Sequence, residues 1–117
     1  MNPLDYSLCD RTVTVYRKTD AGITRQVAGN CHLSGTVTVP TESYGKSGLK
    51  TFLLIIPGDF PLRPGDRIYD GIGPETVDWQ RFVPALIPQL YEISFARPCF
   101  WEGQIAHWEA GHKKEAS

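Results

Sequence analysis

The fold is decided by residues 50–71, which read KTFLLIIPGDFPLRPGDRIYDG. The apolar run at residues 52–56 is too short for an ordinary helix, and Pro57-Gly58-Asp59 ends it sharply. A short apolar run bounded by turn residues predicts a strand that is buried on both faces. Pro64-Gly65 then has the order of a type II turn, because proline presets φ at the first central position and glycine accepts positive φ at the second. Residues 67–69 predict the next strand, so a rigidly joined pair of strands lies at the centre of the chain.

Composition indicates one domain that spans residues 1–117. The hydrophobic fraction of 41% and the charged fraction of 21% are ordinary for a soluble globular domain. A formal net charge of -1 argues against a dedicated nucleic-acid-binding protein, which normally carries a basic excess. No apolar run reaches the roughly 18 residues of a membrane span, and residues 1–9 form a lead-in without the features of a signal peptide. We therefore expect the protein to be made in the cytosol and not to associate with a membrane.

A β-hairpin is predicted near the start of the chain. Residues 10–17 and 23–28 both alternate at period two, and residues 19–22 between them form a turn. In the first strand, Val13 and Val15 are expected to face the core. Three residues are expected on the opposite side of that strand: Thr12, Thr14 and Tyr16. Gly29-Asn30 is expected to end the hairpin.

The rest of the chain predicts further strands at residues 31–39, 90–97 and 105–109, with Pro98 marking a bend or an edge. Residues 40–48 predict a polar surface loop, and residues 76–83 fit either a short helix capped by Thr76 or a strand. Residues 111–117 predict a polar tail. The fold class is therefore all-β: a compact small β-barrel or sandwich of about six or seven mainly antiparallel strands, with long loops and at most one short helix.

The search for chemistry in the sequence is negative. Three widely spaced cysteines fit free thiols in a reducing compartment better than a disulfide framework. Cys31-His32 with Cys99 and His107 offers zinc-type ligands, but no paired spacing supports a metal site. Four aspartates lie in predicted turns, where local hydrogen bonds to the backbone explain them: Asp59, Asp66, Asp70 and Asp78. We therefore expect no enzyme activity, no catalytic residues, no metal and no cofactor.

The aromatic residues leave two interpretations open. Four of them are candidates for a platform that stacks sugars or bases: Tyr44, Trp79, Trp101 and Trp108. Packing in the core or at an interface between proteins is the simpler account.

Three stretches resemble the small minor-capsid and head-tail connector proteins of tailed bacteriophages and prophages. They are the opening DRTVTVYRKTDAGITRQVAGN, the central LLIIPGDFPLRPGDRIYDG and the closing HWEAGHKK. The family is expected to have a TVTVY strand, a strand that ends at proline, a PGD turn and strand, and a closing HWEV-type segment. The closing segment of this chain departs from that pattern by one residue and one shift.

The resemblance implies a structural protein of the virion neck, made in the host cytoplasm. Such a connector, of the head-closure or stopper type, forms a ring of identical subunits beneath the portal. The ring is expected to contact the portal or an adaptor protein on one side and tail-completion proteins on the other, and to lie near the packaged DNA. Rings require heterologous contacts between complementary patches. Tyr44 and Lys46 are expected on a loop that faces the channel or a neighbour, and Trp79 and Phe82 against another subunit. The alternative for Trp79 and Phe82 is that they close the end of the barrel.

Two other functional classes are left open at this point. A small barrel of the OB type that binds nucleic acid or another partner needs a basic, aromatic face, and the first hairpin supplies only Arg17, Lys18 and Arg25 for it. An enzyme or metal protein is the third class. Within the phage interpretation, a tail-completion or other minor capsid role fits the sequence as well as a stopper does.

Overall fold

The computed structural model describes Tyr6, residues 9–38 and residues 49–112. These residues contain no helix and form seven antiparallel strands in one sheet, so the predicted all-β class is confirmed. The strands are β1 (Arg11–Thr19), β2 (Gly22–Thr38), β3 (Leu49–Pro57), β4 (Arg67–Asp70), β5 (Leu90–Glu92), β6 (Phe95–Trp101) and β7 (Gln104–His112). Their order across the sheet is β5-β4-β1-β2-β3-β7-β6. Since this part of the chain is free of helices, it has none that could span a membrane.

The sheet is curled but not closed. Its edge strands are β5 and β6, yet only Ile93 and Ser94 separate these strands along the chain. Two residues span only a few ångströms, so the two edges of the sheet lie close together. The Ile93 amide donates to the Asp66 carbonyl and the Ser94 amide donates to the Gly111 carbonyl, each at 2.8 Å. The short connection therefore holds both edges around one core without a continuous hydrogen-bonded barrel.

The first hairpin forms as predicted, but its second strand is longer. Thr19 pairs with Gly22 across a two-residue turn. Gly29-Asn30 does not end the strand, because β2 runs on to Thr38. Asn30 instead adopts a positive φ of 54° where the register with β1 shifts between Arg11 and Val13. A bulge of this kind bends a strand without ending it. The first part of β2 can therefore pair with β1 and its last part with β3.

The central pair of strands also forms, with one correction. Phe52, Leu54 and Ile56 are buried, but Leu53 is 37% exposed. The prediction that β3 is buried on both faces is therefore wrong at Leu53, because no segment among the described residues covers that side chain. The type II turn is confirmed: Gly65 has a φ of +94° and the Asp66 amide donates to the Arg63 carbonyl at 3.1 Å.

Two separate clusters of buried side chains hold the sheet. The main core lies inside the curl and includes Val13 and Val15, as predicted. Tyr16 was expected on the opposite side of β1 and does point there, yet it is fully buried. It packs with Phe82 and Leu90 in a second cluster. The segment at residues 71–89 therefore covers the outer face of β1, and residues 76–83 form turns, with neither the helix nor the strand considered from sequence.

The end of the chain differs from its prediction in the number of its strands and in the length of the last one. The single strand expected at residues 90–97 is two strands, β5 and β6, which belong to opposite edges of the sheet. Pro98 lies in β6, an edge strand of the sheet, which is where a strand tolerates proline. The last predicted strand is confirmed as β7, which is longer than expected. It includes Gly111 and His112, so the predicted polar tail is wrong at these two residues.

Candidate functional site

The structure describes two of the four contact residues predicted from the sequence, Trp79 and Phe82. Tyr44 and Lys46 lie outside the described residues. Phe82 is 4% exposed and its ring centroid lies 4.6 Å from that of Tyr16. Phe82 therefore packs inside its own chain, as in the alternative that it closes the end of the fold. Trp79 is only half-buried and remains a candidate contact residue.

Hydrogen bonds from the sheet fix the 71–89 segment that carries Trp79. The Tyr16 hydroxyl donates to the Pro74 carbonyl at 2.6 Å. The Arg67 guanidinium donates to the carbonyls of Trp79 and Phe82 at 2.6 and 2.5 Å. Arginine presents its donors in a rigid fork, so one side chain of β4 holds two turns of the segment. These hydrogen bonds hold the segment in one conformation, so it can form a preordered binding surface.

Trp79 lies between a structural cation and an open groove. The Arg67 guanidinium carbon is 3.8 Å from the centroid of the Trp79 ring, in cation–π geometry. Trp79 also lines a groove between the β1–β2 turn and the type II turn, with exposed Lys18 and Arg63. Asp66 belongs to the same groove and offsets part of the positive charge. The arrangement provides an aromatic and weakly basic contact surface.

A second groove on the same segment is apolar. It has a volume of about 360 Å³ and is open to solvent. Its apolar lining consists of Tyr69, Pro74, Val77, Phe82 and Ile87. Arg81 is exposed on the same groove. Asp78 lines the groove as well, 3.9 Å from Arg81. The groove can therefore accept an apolar side chain beside an exposed ion pair, and we call it the loop groove.

The turn between β6 and β7 presents apolar side chains to solvent. Phe100 is 64% exposed and Trp101 is 37% exposed. The turn residues Glu102 and Gly103 both have positive φ, 52° and 78°, as the tightest hairpin turns require. We call residues 100–103 the hairpin tip. Exposed aromatic residues on a rigid tip are typical of interfaces between proteins.

A cluster of potential metal ligands lies behind the hairpin tip. Cys99, His107 and Glu109 each place one ligand atom so that all three atoms lie within 4.8 Å of one another. His107 is buried, and Cys99 and Glu109 are half-buried. Of the residues considered as metal ligands from sequence, the structure brings Cys99 and His107 together and leaves Cys31 and His32 out of this cluster.

Register explains why sequence analysis missed Glu109. Cys99 pairs with His107 across the β6–β7 ladder, and Glu109 lies two residues further along β7 on the same face. The turn at Glu102-Gly103 is a hairpin signal that could have brought these residues near one another. A bulge between Cys99 and Phe100 then shifts the pairing by one residue, and a pattern of residues does not reveal that shift.

Each polar group of the cluster has a partner. One His107 nitrogen, Nε2, lies 3.0 Å from Glu109 Oε2, and Nδ1 lies 2.7 Å from the Tyr6 hydroxyl. Arg97 donates to Glu109 Oε1 through Nη2 at 2.8 Å and through Nε at 3.2 Å. The hydrogen bond from His107, followed by that from Arg97, lowers the pKa of the Glu109 carboxyl. Glu109 is therefore a carboxylate at neutral pH.

The thiols do not have the features of activated nucleophiles. Burial is the main cause that raises the pKa of the Cys99 thiol, and nearby Glu109 adds to it. Burial also raises the pKa of the Cys31 thiol to about 11. Cys31 Sγ donates to the Gly29 carbonyl at 3.3 Å and is fully buried. A nucleophilic cysteine needs a lowered pKa, so the raised pKa values of Cys31 and Cys99 disfavour a nucleophilic role for both thiols.

Two of the three basic residues of the first hairpin have structural partners. Arg17 contacts both carboxylate oxygens of Asp66, at 2.9 and 2.8 Å. Arg25 donates to the carbonyls of Gly73 and Pro74 at 2.7 and 3.0 Å. Guanidinium groups engaged in this way are less available to phosphates, so the predicted basic patch is weaker than its sequence indicates.

Comparison with protein-family models, with curated proteins and with solved structures finds no match to this chain.

Proposed function

We propose that the chain is a structural virion protein of a phage or prophage, a head-tail connector or minor capsid component that forms part of the neck ring below the portal. The observation that carries the proposal is the presence, in one small chain, of a rigid apolar hairpin tip and a fixed apolar groove. The resemblance of the three sequence stretches to connector proteins supports the same function. Its partners are other copies of the chain, the portal or adaptor, and tail-completion proteins.

The two surfaces suit a head-to-tail contact between copies. Phe100 and Trp101 of one subunit enter the loop groove of the next, where Val77 and Ile87 receive them. Glu102 belongs to the tip, and Arg81 lies on the groove beside Asp78, so Glu102 can pair with Arg81 across the contact. A contact between two different patches of identical chains is heterologous and closes into a ring when the rotation allows it. Burial of such aromatic residues supplies most of the affinity in many interfaces.

The first measurement is the mass of the protein in solution by light scattering across a concentration series, followed by electron microscopy of the largest species. A discrete high-order oligomer that accumulates as concentration rises is the expected result. If the isolated chain is a monomer, the series is repeated with portal rings as a template. A chain that remains monomeric and does not bind to portal rings contradicts the proposal.

Charge reversal tests the contact itself. We expect Arg81→Glu to shift assembly to higher concentration, and Glu102→Arg to do the same. The double variant restores the attraction with the charges exchanged and should assemble like the wild type. Ile23→Ser, which removes an exposed apolar side chain from the first hairpin, is the matched control. Equal weakening by Ile23→Ser would indicate non-specific apolar association instead of this contact.

Trp79→Ala separates assembly from folding. Trp79 does not line the loop groove, but its ring stacks on Arg67, which holds two carbonyls of the segment that forms the groove. The proposal therefore expects loss of the ring with a folded monomer, measured by light scattering and circular dichroism on the same samples. A collapsed monomer would assign Trp79, like Phe82, to closing the end of the fold.

Nucleic-acid binding is the second candidate function, and the groove with Lys18, Arg63 and Trp79 is the observation that favours it. An aromatic ring beside cations is how single strands are bound without sequence preference. Binding to short single-stranded DNA that weakens steeply with salt would support this function. The connector proposal expects no such binding by the isolated monomer.

A further inference from the structure

The Cys99, His107 and Glu109 cluster has the donor set of a transition-metal site. Thiolate, imidazole and carboxylate are the three ligand types that zinc takes in proteins. Cys99 and His107 are too far apart along the sequence to form a paired metal-binding motif. The register of two adjacent strands, β6 and β7, brings them together instead. The cluster lies on the face of β7 opposite to the core residues Trp108 and Ala110. It is therefore separate from the main core and from the loop groove.

The distances are close to those that a tetrahedral ion needs. Zinc–nitrogen and zinc–oxygen bonds of about 2.0–2.1 Å at a tetrahedral angle place two such ligand atoms about 3.3 Å apart. His107 Nε2 and Glu109 Oε2 are 3.0 Å apart. A zinc–sulfur bond of about 2.3 Å places sulfur about 3.6 Å from either atom, while Cys99 Sγ lies within 4.8 Å of both. A shift of Sγ by about 1 Å, within reach of a side-chain rotation, is enough to complete the geometry.

The neighbours of the cluster orient the ligands. A metal-bound histidine usually donates its second ring N–H to an outer group, which fixes the ring and its tautomer. The Tyr6 hydroxyl lies 2.7 Å from His107 Nδ1, where it can accept that hydrogen bond. Arg97 holds Oε1 of Glu109 and leaves Oε2 directed at His107. These contacts orient His107 and Glu109 toward each other, and Cys99 Sγ lies within 4.8 Å of both ligand atoms.

We propose that Cys99, His107 and Glu109 bind one divalent metal ion of the zinc class. On binding, the thiol proton of Cys99 is released. The His107 proton that faces Glu109 on Nε2 is lost to solvent, and Nδ1 gains a proton that it donates toward Tyr6, so the imidazole stays neutral. The Cys99 thiolate and the Glu109 carboxylate together balance the two charges of the ion. Three protein ligands leave a fourth position for water. Because binding releases a proton, the affinity falls as pH is lowered.

Cobalt titration of the tag-free protein under metal-free, reducing conditions is the test. We expect one Co²⁺ per chain, a thiolate-to-cobalt charge-transfer band, and displacement of Co²⁺ by Zn²⁺. Cys99→Ser should remove the charge-transfer band, while Cys9→Ser, outside the cluster, should retain it. Tyr6→Phe should weaken binding by ~10–100-fold, the range for loss of an outer partner.

A second pair of variants tests the site even if Cys99→Ser disturbs folding. Glu109→Gln and Glu92→Gln each change a glutamate that pairs with an arginine, Arg97 and Arg67 respectively. Only Glu109→Gln should weaken Co²⁺ binding and abolish the rise in Tm that Zn²⁺ causes in the wild type. Absence of stoichiometric binding, binding without the thiolate band, or equal binding by Cys99→Ser and wild type overturns the proposal.

Discussion

The ion pair between Arg17 and Asp66 should be among the most stabilising polar contacts of the fold. Asp66 is 2% exposed and accepts three hydrogen bonds: two from Arg17, at 2.9 and 2.8 Å, and one from the Arg63 amide at 3.0 Å. Its backbone carbonyl also accepts from Ile93. One residue therefore connects β1, the type II turn and the link between the two sheet edges.

Asp66→Asn is expected to lower the free energy of unfolding by about 3 kcal/mol, the low end for breaking a buried charge pair. The low end applies because the Arg17 side chain is 27% exposed and water solvates it once its partner is neutral. The asparagine NH₂ group faces donors from Arg17 or Arg63, so at least one buried donor loses its acceptor. For a chain of this size, such a loss lowers Tm by roughly 10 °C.

The same strand provides a matched control. Arg11 of β1 contacts Asp70 at 2.8 Å, the same distance as the Arg17 pair, but the two side chains are 49% and 31% exposed. Asp70→Asn should therefore cost less than about 1 kcal/mol. Urea unfolding measures both variants, and Arg17→Met completes a double-mutant cycle with an expected coupling of about 2 kcal/mol. Equal costs for the two asparagine variants would show that burial does not decide the strength of these pairs.

Cys31 should resist alkylation at pH 8 and react only on unfolding, because a pKa of about 11 leaves about one thiolate in a thousand; mass spectrometry with half-buried Cys9 as the internal comparison measures this. The raised pKa also means that the folded state holds the Cys31 proton more tightly, so this stabilising contribution is complete below pH 9.0, the ordinary pKa, and is lost between pH 9.0 and about 11. Chemical denaturation across that range should show the decline in wild type and a smaller decline in Cys31→Ala. Gly73→Ala should cost about 1–3 kcal/mol, because a Cβ there collides with the Tyr16 hydroxyl, whereas Gly29→Ala meets no atom within 4 Å and should be neutral.

Local patterns in the sequence predicted the elements that depend on near neighbours. The type II turn at Pro64-Gly65 forms because its two residues fix their own φ angles. The first hairpin forms because alternation and turn lie within about twenty residues. Burial was less predictable: Leu53 was expected in a fully covered strand, and its exposure depends on whether another segment crosses that face.

Long-range contacts explain what the sequence left out. Tyr16 is buried because the segment at residues 71–89 covers it. Pro74 of that segment, 58 residues later, accepts the hydrogen bond of the Tyr16 hydroxyl. Prolines interrupt this segment, so its sequence shows no hydrophobic period that would predict the contact. Asp66 was assigned to turn chemistry, and it does occupy a turn, but its partner Arg17 lies 49 residues earlier. For the candidate metal site, the residue types were visible, while the register that aligns Cys99 with His107 depends on a bulge.

The two proposals meet at the hairpin tip, which gives a further prediction. Cys99 precedes Phe100 directly, and His107 lies on the paired strand, so a metal ion held by both would clamp the strands that present Phe100 and Trp101. A preordered contact loses less entropy on binding, so Zn²⁺ should lower the concentration at which rings form. Light scattering with Zn²⁺ and with a chelator measures the shift, and Cys99→Ser should show none. If rings form at the same concentration with Zn²⁺ and with the chelator, the prediction is wrong. The protein would then assemble independently of metal binding.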